Sequence, residues 1–246
     1  PPLGEFLDRL AGLPLAYEPG SAYRYSVSLD VAGGLLEKLG GAPLDTLFER
    51  QLLGPLGMRD TGFHVPEGKR QRMSAAWAFL DPRTFEATDR PTRFDGPEAT
   101  DWASPPRLLA GGAGLVSTAE DYAKFAQMLL NEGLFEGRRL LPAGVARLGM
   151  GNLLEPGVFF RGAPDRPPEG YGAGGSVSLY DTRRDAPFGV PAGVYGWGGA
   201  AGTLFSVDRV RQVAVVLMLQ YMPSNRFPMV RDLATALNRE AAARTI

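Results

Sequence analysis

Two short segments of the sequence carry the side chains that could do chemistry, and the first is the turn from Pro19 to Val27. Tyr25 and Ser26 stand at its end, directly before an amphipathic stretch. A phenol transfers protons near neutral pH only when a neighbouring cation stabilises its anion, since an ordinary tyrosine has a pKa of about 10. Local sequence leaves two interpretations of Tyr25, a proton-transfer group or a ring packed on the following helix. Ser26 could bond within a site or cap that helix.

The second segment runs from Tyr195 to Ala200 and contains Trp197 followed by Gly198 and Gly199. Consecutive glycines allow a strand backbone to come close to a ligand, and the indole offers a large apolar face. The alternative is a glycine-rich strand with a tryptophan in the core.

Composition excludes several other chemistries. The chain has 26 basic and 27 acidic residues among 246, so its formal charge of −1 offers no field for nucleic acid or an anionic membrane. It has no cysteine, and its one histidine, His64, belongs to neither a metal-binding cluster nor a triad with a Gly-x-Ser-x-Gly elbow. We expect no metal ion, no nucleic acid and no membrane span, and we interpret His64 as an ordinary surface residue.

Hydrophobic spacing predicts the helices that precede and follow the first segment. Leu3 to Leu13 has helical spacing, and a second helix is predicted from Ser28, as its N-cap, to Gly40-Gly41. Gly33 and Gly34 inside this helix would let another backbone approach. A third helix is predicted from Pro43 to a stop at Gly54-Pro55.

The later part of the chain changes from helical to β-rich character. Ser117-Thr-Ala-Glu120 is a capping-box pattern for a helix ending near Asn131, and Pro142 begins a short helix. Four β-rich segments follow, of which the last two resemble an antiparallel hairpin: Tyr171 to Tyr180, Gly193 to Trp197, Gly202 to Val207 and Gln212 to Tyr221. A terminal helix from Met229 to about Ala243 should cover the hairpin. This order predicts an α+β protein.

Residues 60 to 107 have weak periodicity, apart from a possible strand around Ala75 to Leu80. A long irregular stretch within a domain indicates a functional loop or lid. Four aromatic residues in irregular segments are interpreted as buried loop anchors, with the lining of an acyl pocket as the alternative: Trp77, Trp102, Phe159 and Phe160.

Four sequence blocks occur in a fixed order along the chain. They are Pro19-Gly-x-x-Tyr-x-Tyr-Ser26, Pro55-Leu-Gly-Met-x-Asp-Thr-Gly-Phe63, Gly111-Gly-Ala-Gly-Leu-Val-Ser-Thr-Ala-Glu-Asp-Tyr122 and Tyr195-Gly-Trp-Gly-Gly199. Together they resemble the serine β-lactamase-like superfamily, in particular its class C-like branch and the family VIII carboxylesterases. The resemblance extends from about Glu5 to Leu237.

This resemblance implies an α+β fold of the β-lactamase/transpeptidase type, in which an antiparallel sheet flanked by helices lies beside a helical region. Residues 1–246 would be the C-terminal portion of one catalytic domain, incomplete at its N-terminus. A helical and loop region would cover about residues 15–165, and the sheet strands and C-terminal helix about residues 166–246.

Three motifs line the site in this superfamily: Ser-x-x-Lys, then Tyr-x-Asn or Tyr-Ser-x, then Lys-Thr-Gly, which is Trp-Gly-Gly in family VIII esterases. Tyr25-Ser26-Val27 matches the second, and Trp197-Gly198-Gly199 matches the third in its esterase form. The resemblance implies a catalytic Tyr25 and a backbone oxyanion donor at Ala200. It also implies substrate contacts from the other motif residues: Ser26, Val27, Trp197, Gly198 and Gly199.

The first motif is absent from this sequence, because none of its three lysines has a serine three residues earlier. The lysines and the residues in those positions are Lys38 with Leu35, Lys69 with Pro66, and Lys124 with Asp121. By resemblance the motif precedes Tyr25, so we expect the nucleophile and its lysine on a missing N-terminal segment of the same protein. The alternative is a chain that never had them and is inactive in this chemistry.

The expected function is a serine hydrolase that cleaves short-chain carboxylic esters through an acyl-enzyme, with no cofactor. Trp197 in place of a lysine and Val27 in place of an asparagine favour an uncharged ester over a β-lactam. A β-lactamase, a D-amino-acid peptidase and an acyltransferase remain alternatives, as does a non-catalytic binding protein on this fold. We expect a cytoplasmic location, with a periplasmic or secreted one as the alternative.

Overall fold

Helices dominate the first part of the chain. The computed structural model describes residues 1–81, 84–96, 102–163 and 166–243. Within these ranges a π-helical turn at Glu49–Leu53 joins α3 to α4, and a 3₁₀ helix spans Glu67–Arg72. The α-helices are α1 (Leu3–Ala11), α2 (Ser28–Gly40), α3 (Leu44–Phe48), α4 (Gly54–Leu56), α5 (Ala119–Leu130), α6 (Ala143–Gly149) and α7 (Met229–Ala243). None of the helices in the described ranges is both long and apolar enough to cross a membrane.

Among the residues that the structure describes, the strands form three sheets. Their bounds are β1 (Ala76–Leu80), β2 (Ala87–Asp95), β3 (Leu134–Phe135), β4 (Arg138–Arg139), β5 (Arg161–Ala163), β6 (Arg166–Tyr171), β7 (Ser176–Ser178), β8 (Tyr195–Gly198), β9 (Leu204–Asp208), β10 (Val213–Leu217) and β11 (Tyr221–Met222). The largest sheet has six antiparallel strands in the order β10-β9-β8-β7-β6-β5. A second sheet has the order β11-β1-β2, and β3 pairs with β4. Strand β8, which carries Trp197 and Gly198, therefore lies inside the large sheet, between β9 and β7.

The core lies between α5 and the large sheet. Ala126, Met128 and Leu129 of α5 belong to the same buried cluster as Phe205 and Val207 of β9. Phe205 and Val207 lie two positions apart and therefore share the face of the sheet that packs on the helix, because successive side chains of a strand point to opposite faces. The packing of α5 on β9 also sets the position of β8, since β8 is paired with β9 along its whole length.

Helix α2 contacts a glycine loop at residues 110–114. A Cβ atom on Gly33 would lie 3.3 Å from the Gly111 Cα, and one on Gly111 would lie 2.1 Å from the Leu29 carbonyl oxygen. The predicted close backbone approach is confirmed at Gly33. At Gly34 the prediction is wrong, because its neighbour is the side chain of Leu7 in α1.

The start of α2 differs from the prediction. Its N-cap is Val27 rather than Ser28, and no side chain makes a capping hydrogen bond. The Val27 carbonyl oxygen accepts from the N–H groups of Asp30 (3.0 Å) and Val31 (3.2 Å). Ser26 therefore does not cap the helix. The predicted end is confirmed, since Gly41 adopts the left-handed conformation (φ 62°) that stops a helix.

The predicted stop at Gly54-Pro55 is wrong. The helical path continues from α3 through the π turn into α4, and Gly57 (φ 64°) ends it. Pro55 has no N–H to bond to the preceding turn, and that turn is π-helical rather than α-helical. The Gly-Pro pair thus lies within a continuous helical path and does not end it.

Helix α5 begins one residue later than the capping-box pattern predicts. Thr118 is the N-cap, and its hydroxyl accepts from the Asp121 N–H (3.2 Å). The Ser117 hydroxyl is hydrogen-bonded instead to the Thr61 hydroxyl (2.8 Å), so a tertiary contact occupies the expected cap. The end of the helix at Asn131 is confirmed.

The predicted β9–β10 hairpin is confirmed, with Val213 opposite Asp208. The segment Gln212 to Tyr221 is not one strand, because β10 ends at Leu217 and β11 joins β1 in the other sheet.

The predicted strand around Ala75 to Leu80 is confirmed by β1. The rest of the stretch 60–107 is more regular than predicted, because it contains the 3₁₀ helix and the mostly exposed β2. Residues 82–83 and 97–101 of the stretch lie outside the described residues.

Candidate active site

The two chemical segments meet at one cavity of about 1520 Å³. Tyr25 lies just before α2, whereas Trp197 lies on β8, so about 170 residues of chain separate two groups that share one wall. The glycine loop beside α2 forms another part of the lining. The predicted site residues that line the cavity are Tyr25, Ser26, Trp197, Gly198, Gly199 and Ala200.

Tyr25 and Trp197 are stacked. Their ring centroids are 5.9 Å apart and their planes are inclined by 25°. Tyr25 is 66% exposed, so its ring stands at the cavity surface. Trp197 is half-buried and its backbone is held opposite Phe205 of β9. The sheet therefore positions the indole, and the indole supports the tyrosine.

The backbone after β8 makes a tight turn that presents an unused donor. The Gly199 N–H donates to the Thr203 carbonyl oxygen (2.7 Å), and the Gly202 N–H donates to the Gly199 carbonyl oxygen (3.0 Å). Between them, the Ala200 N–H has no acceptor in the part of the chain that the structure describes, and Ala200 is exposed at the cavity. A free backbone N–H at this place can stabilise a developing oxyanion.

Three further aromatic rings lie beside the stacked pair. Phe160 was predicted from the sequence only as an alternative acyl-pocket residue, and Tyr23 and Tyr171 were not predicted as site residues. Phe160 and Tyr171 lie 5.2 Å and 5.3 Å from the Trp197 ring centroid, the second edge-on at 87°. Tyr23 lies 4.9 Å from Tyr171 and 5.1 Å from Phe160. The Tyr-x-Tyr spacing of the first segment could have suggested Tyr23, but nothing local marks Tyr171.

The two phenols among these rings, Tyr23 and Tyr171, are poorly suited to act as bases. Burial chiefly, and then a hydrogen bond with Tyr171, raises the pKa of Tyr23 well above its usual value. Burial also raises the pKa of Tyr171. Both phenols therefore stay protonated at neutral pH, and Tyr25 is the most exposed tyrosine of the three.

The loop anchors predicted from sequence have different outcomes. Trp102 donates through Nε1 to an Asp95 carboxylate oxygen (2.6 Å), and its carbonyl oxygen accepts from the Val65 N–H (2.7 Å), so it is an anchor. Trp77 and Phe159 are 42% and 43% exposed, so their predicted burial is wrong. Phe160 packs on the site rather than on a remote loop.

An ion-pair network lies beside the cavity, and Asp60, Lys69 and Arg72 of this network line it. The buried Asp121 carboxylate accepts from the Asp60 N–H (2.7 Å) and is paired with Lys124 (3.1 Å). The Asp60 carboxylate is paired with Arg72 and Lys69, both at 2.7 Å, and these partners hold the pKa of Asp60 well below its usual value. Lys69 and Lys124 are thus engaged in this network.

The remaining site candidates lie at the margin. Val27 is half-buried at the start of α2 and is not among the residues that line the cavity. Ser26 lines it with an exposed side chain. His64 is half-buried and lies among the residues that line the cavity. Across the described ranges, no group of three or more His, Cys, Asp or Glu residues is placed to hold a metal ion.

Comparison with known proteins gives concordant matches. The family model described as Beta-lactamase matches residues 2–239. A Mycobacterium tuberculosis protein is 35% identical over 225 residues, covering 89% of this chain and 53% of its own length. Esterase EstB of Burkholderia gladioli is 31% identical over 229 residues, covering 88% of this chain and 54% of its own length.

Among solved structures, EstCE1, a hydrolase with promiscuous acyltransferase activity, matches with a TM-score of 0.74 and 25% identity. That match covers 96% of this chain and 61% of EstCE1. The chain spans about half the length of the curated relatives that it matches.

Proposed function

Because the chain belongs to the β-lactamase family, we propose that it carries the tyrosine and the oxyanion donor of a serine hydrolase that cleaves short-chain carboxylic esters. The family match confirms the resemblance to the serine β-lactamase-like proteins and their α+β fold. The observation that carries the proposal is the convergence of Tyr25, Trp197 and the unpaired Ala200 N–H on one cavity.

The proposed reaction needs a serine and a lysine that this sequence does not supply. We propose that both lie on an N-terminal segment of the same protein, which is the partner of this chain in the complete site. The lysine ammonium would stabilise the Tyr25 phenolate, which takes the serine proton as the serine oxygen attacks the ester carbonyl.

The remaining steps follow from the same groups. The Ala200 N–H would donate to the carbonyl oxygen as it gains negative charge. The Tyr25 phenol would return its proton to the departing alcohol, leaving an acyl-serine. Water would then attack the acyl carbonyl carbon as the Tyr25 phenolate takes its proton, and Tyr25 would return that proton to the serine oxygen as the carboxylic acid departs. Ser26, Gly198 and Gly199 are proposed to contact the substrate at the cavity wall, with Val27 holding the start of α2 behind them.

An uncharged ester is favoured over a β-lactam because Trp197 provides a ring where the related β-lactamases place a lysine. Esterase EstB is a relative above 30% identity, in line with this preference. Acyl transfer to an alcohol is a second candidate, since EstCE1 is described as a hydrolase with promiscuous acyltransferase activity.

The test is ester hydrolysis by the protein that includes its serine- and lysine-bearing segment, with p-nitrophenyl acetate and butyrate as substrates. Tyr25→Phe should lower kcat about 100-fold or more, the usual range for loss of a general base. Tyr17→Phe, at a residue that is 50% exposed and outside the cavity lining, is the matched control. Near-normal turnover in Tyr25→Phe would remove the proposed role. A chromogenic cephalosporin hydrolysed faster than the esters would favour a lactamase.

A further inference from the structure

We propose that Trp197 is a positioning residue for Tyr25 rather than chiefly a wall for the substrate, an inference that rests on the function proposed above. The stacked geometry of the two rings is the starting observation, with centroids 5.9 Å apart and planes within 25°. A ring face covered by Tyr25 is not available to a ligand.

Tyr25 depends on this contact for its orientation. Tyr25 is 66% exposed, and its hydroxyl makes no hydrogen bond within the described residues. Trp197 is the aromatic ring that packs on it there. An exposed side chain without such support would sample several rotamers, and a proton-transfer group must be held within a few tenths of an ångström to act. The stack therefore selects the orientation of the phenol.

Trp197 is itself held more firmly than Tyr25. Its backbone is paired with Phe205 in the middle of the large sheet. Phe160 packs on its ring at an inclination of 48°, and Tyr171 contacts it edge-on. The sheet and these two rings thus restrain Trp197, and Trp197 in turn restrains the exposed Tyr25.

This arrangement differs chemically from a lysine at the same place. A lysine would act on a neighbouring phenol through charge, whereas the indole acts through contact geometry alone. Any cation that activates Tyr25 must then come from elsewhere, and the site divides orientation and activation between two residues. Shape at position 197 therefore matters more than its hydrophobicity.

Two substitutions separate the positioning role from a substrate wall. Trp197→Phe keeps an aromatic ring for Tyr25, whereas Trp197→Leu keeps an apolar surface without a stack. We expect Trp197→Leu to lower kcat about 10-fold with KM little changed, and Trp197→Phe to stay within about 3-fold of the original, in line with the strength of an aromatic pair. Trp77→Leu, at an exposed tryptophan outside the cavity lining, is the control for loss of an indole.

A spectroscopic measurement tests the same contact without catalysis. The protein is labelled with 5-fluorotryptophan, and the resonances of Trp77, Trp102 and Trp197 are assigned by single substitutions. Tyr25→Leu should shift the Trp197 resonance by removing the stacked ring, whereas Tyr17→Leu should leave it in place.

The outcomes distinguish the two proposals. If Trp197→Leu raises KM while kcat is retained, the indole serves substrate binding and the positioning role is overturned. Equal kcat for the Phe and Leu variants and the original also overturns it. If the original protein hydrolyses no ester, the proposed function fails, and the fluorine resonance alone decides the contact. An unchanged resonance in Tyr25→Leu would then refute the positioning role.

Discussion

Gly111→Ala should destabilise the protein, whereas the same change at its neighbour Gly112 should not. A Cβ on Gly111 would lie 2.1 Å from the Leu29 carbonyl oxygen, 2.9 Å from the carbonyl carbon and 3.3 Å from the Asp30 Cα. These are backbone atoms in the first turn of α2, so they cannot rotate away. A Cβ on Gly112 would lie 3.5 Å from the Leu29 Cβ and 3.6 Å from a carboxylate oxygen of Asp30, which is ordinary contact.

The magnitude follows from two opposing effects. Relieving a contact of 2.1 Å requires the glycine loop to move off α2, and such overpacking typically costs about 1–3 kcal/mol. Replacing glycine by alanine also lowers the entropy of the unfolded chain, which stabilises by about 0.4–1 kcal/mol where the backbone permits. Gly112→Ala receives only this second effect. We expect the two variants to differ by about 2 kcal/mol, or about 4–8 °C in Tm for a chain of this size.

The assay is urea and thermal unfolding of both variants beside the original protein, followed by circular dichroism. Gly111→Ala should show a lower Tm with an unchanged dependence on urea concentration. Equal stability of the two variants would contradict this prediction, because it would mean that the loop can move away from α2 without a loss in the free energy of unfolding. Loss of ester hydrolysis in Gly111→Ala below its Tm would extend the argument, since this loop lines the cavity.

Two further predictions concern the backbone donor and the charged network. Ala200→Pro removes one N–H and should lower kcat about 100-fold, whereas Ala200→Gly keeps the donor and most of the activity; similar turnover of the two would contradict the oxyanion role. Asp60 has a pKa held low first by Arg72 and then by Lys69, so its stabilising contribution is present above pH of about 4 and is lost as the pH falls below that value. Asp60→Asn should therefore reduce the acid dependence of the unfolding free energy, while Asp185→Asn should not; equal acid profiles would argue against the network.

Helix positions could be predicted closely from local pattern. The start of α1, the end of α2 and the whole of α7 lie where the sequence pattern places them. Apolar spacing predicts a helix because one face of it must be buried, and this requirement shows in nearby residues. Errors occurred where a short-range signal has two meanings. Gly54-Pro55 can stop a helix or lie within a helical path, and Ser117 can cap a helix or bond across the fold.

Strands were harder to assign when they lack alternation or when their partners are distant in the chain. β2 is polar and mostly exposed, so it carries little alternation, and it is recognisable only by its pairing with β1. β11 closely follows β10 in sequence but pairs with the distant β1 in a different sheet. The register of a strand depends on its neighbours, and a single sequence contains no record of them.

The candidate site shows the same division between what local sequence predicts and what long-range packing decides. The motifs and their resemblance to a known family were enough to predict Tyr25, Trp197 and Ala200 as members of one site. Their geometry depended on the folded chain: the stack between two rings, the free N–H after β8, and the packing of Tyr171 behind Trp197. The contact between Tyr25 and Trp197 is set by long-range packing, and no local pattern encodes the distance between two rings that are about 170 residues apart in the chain.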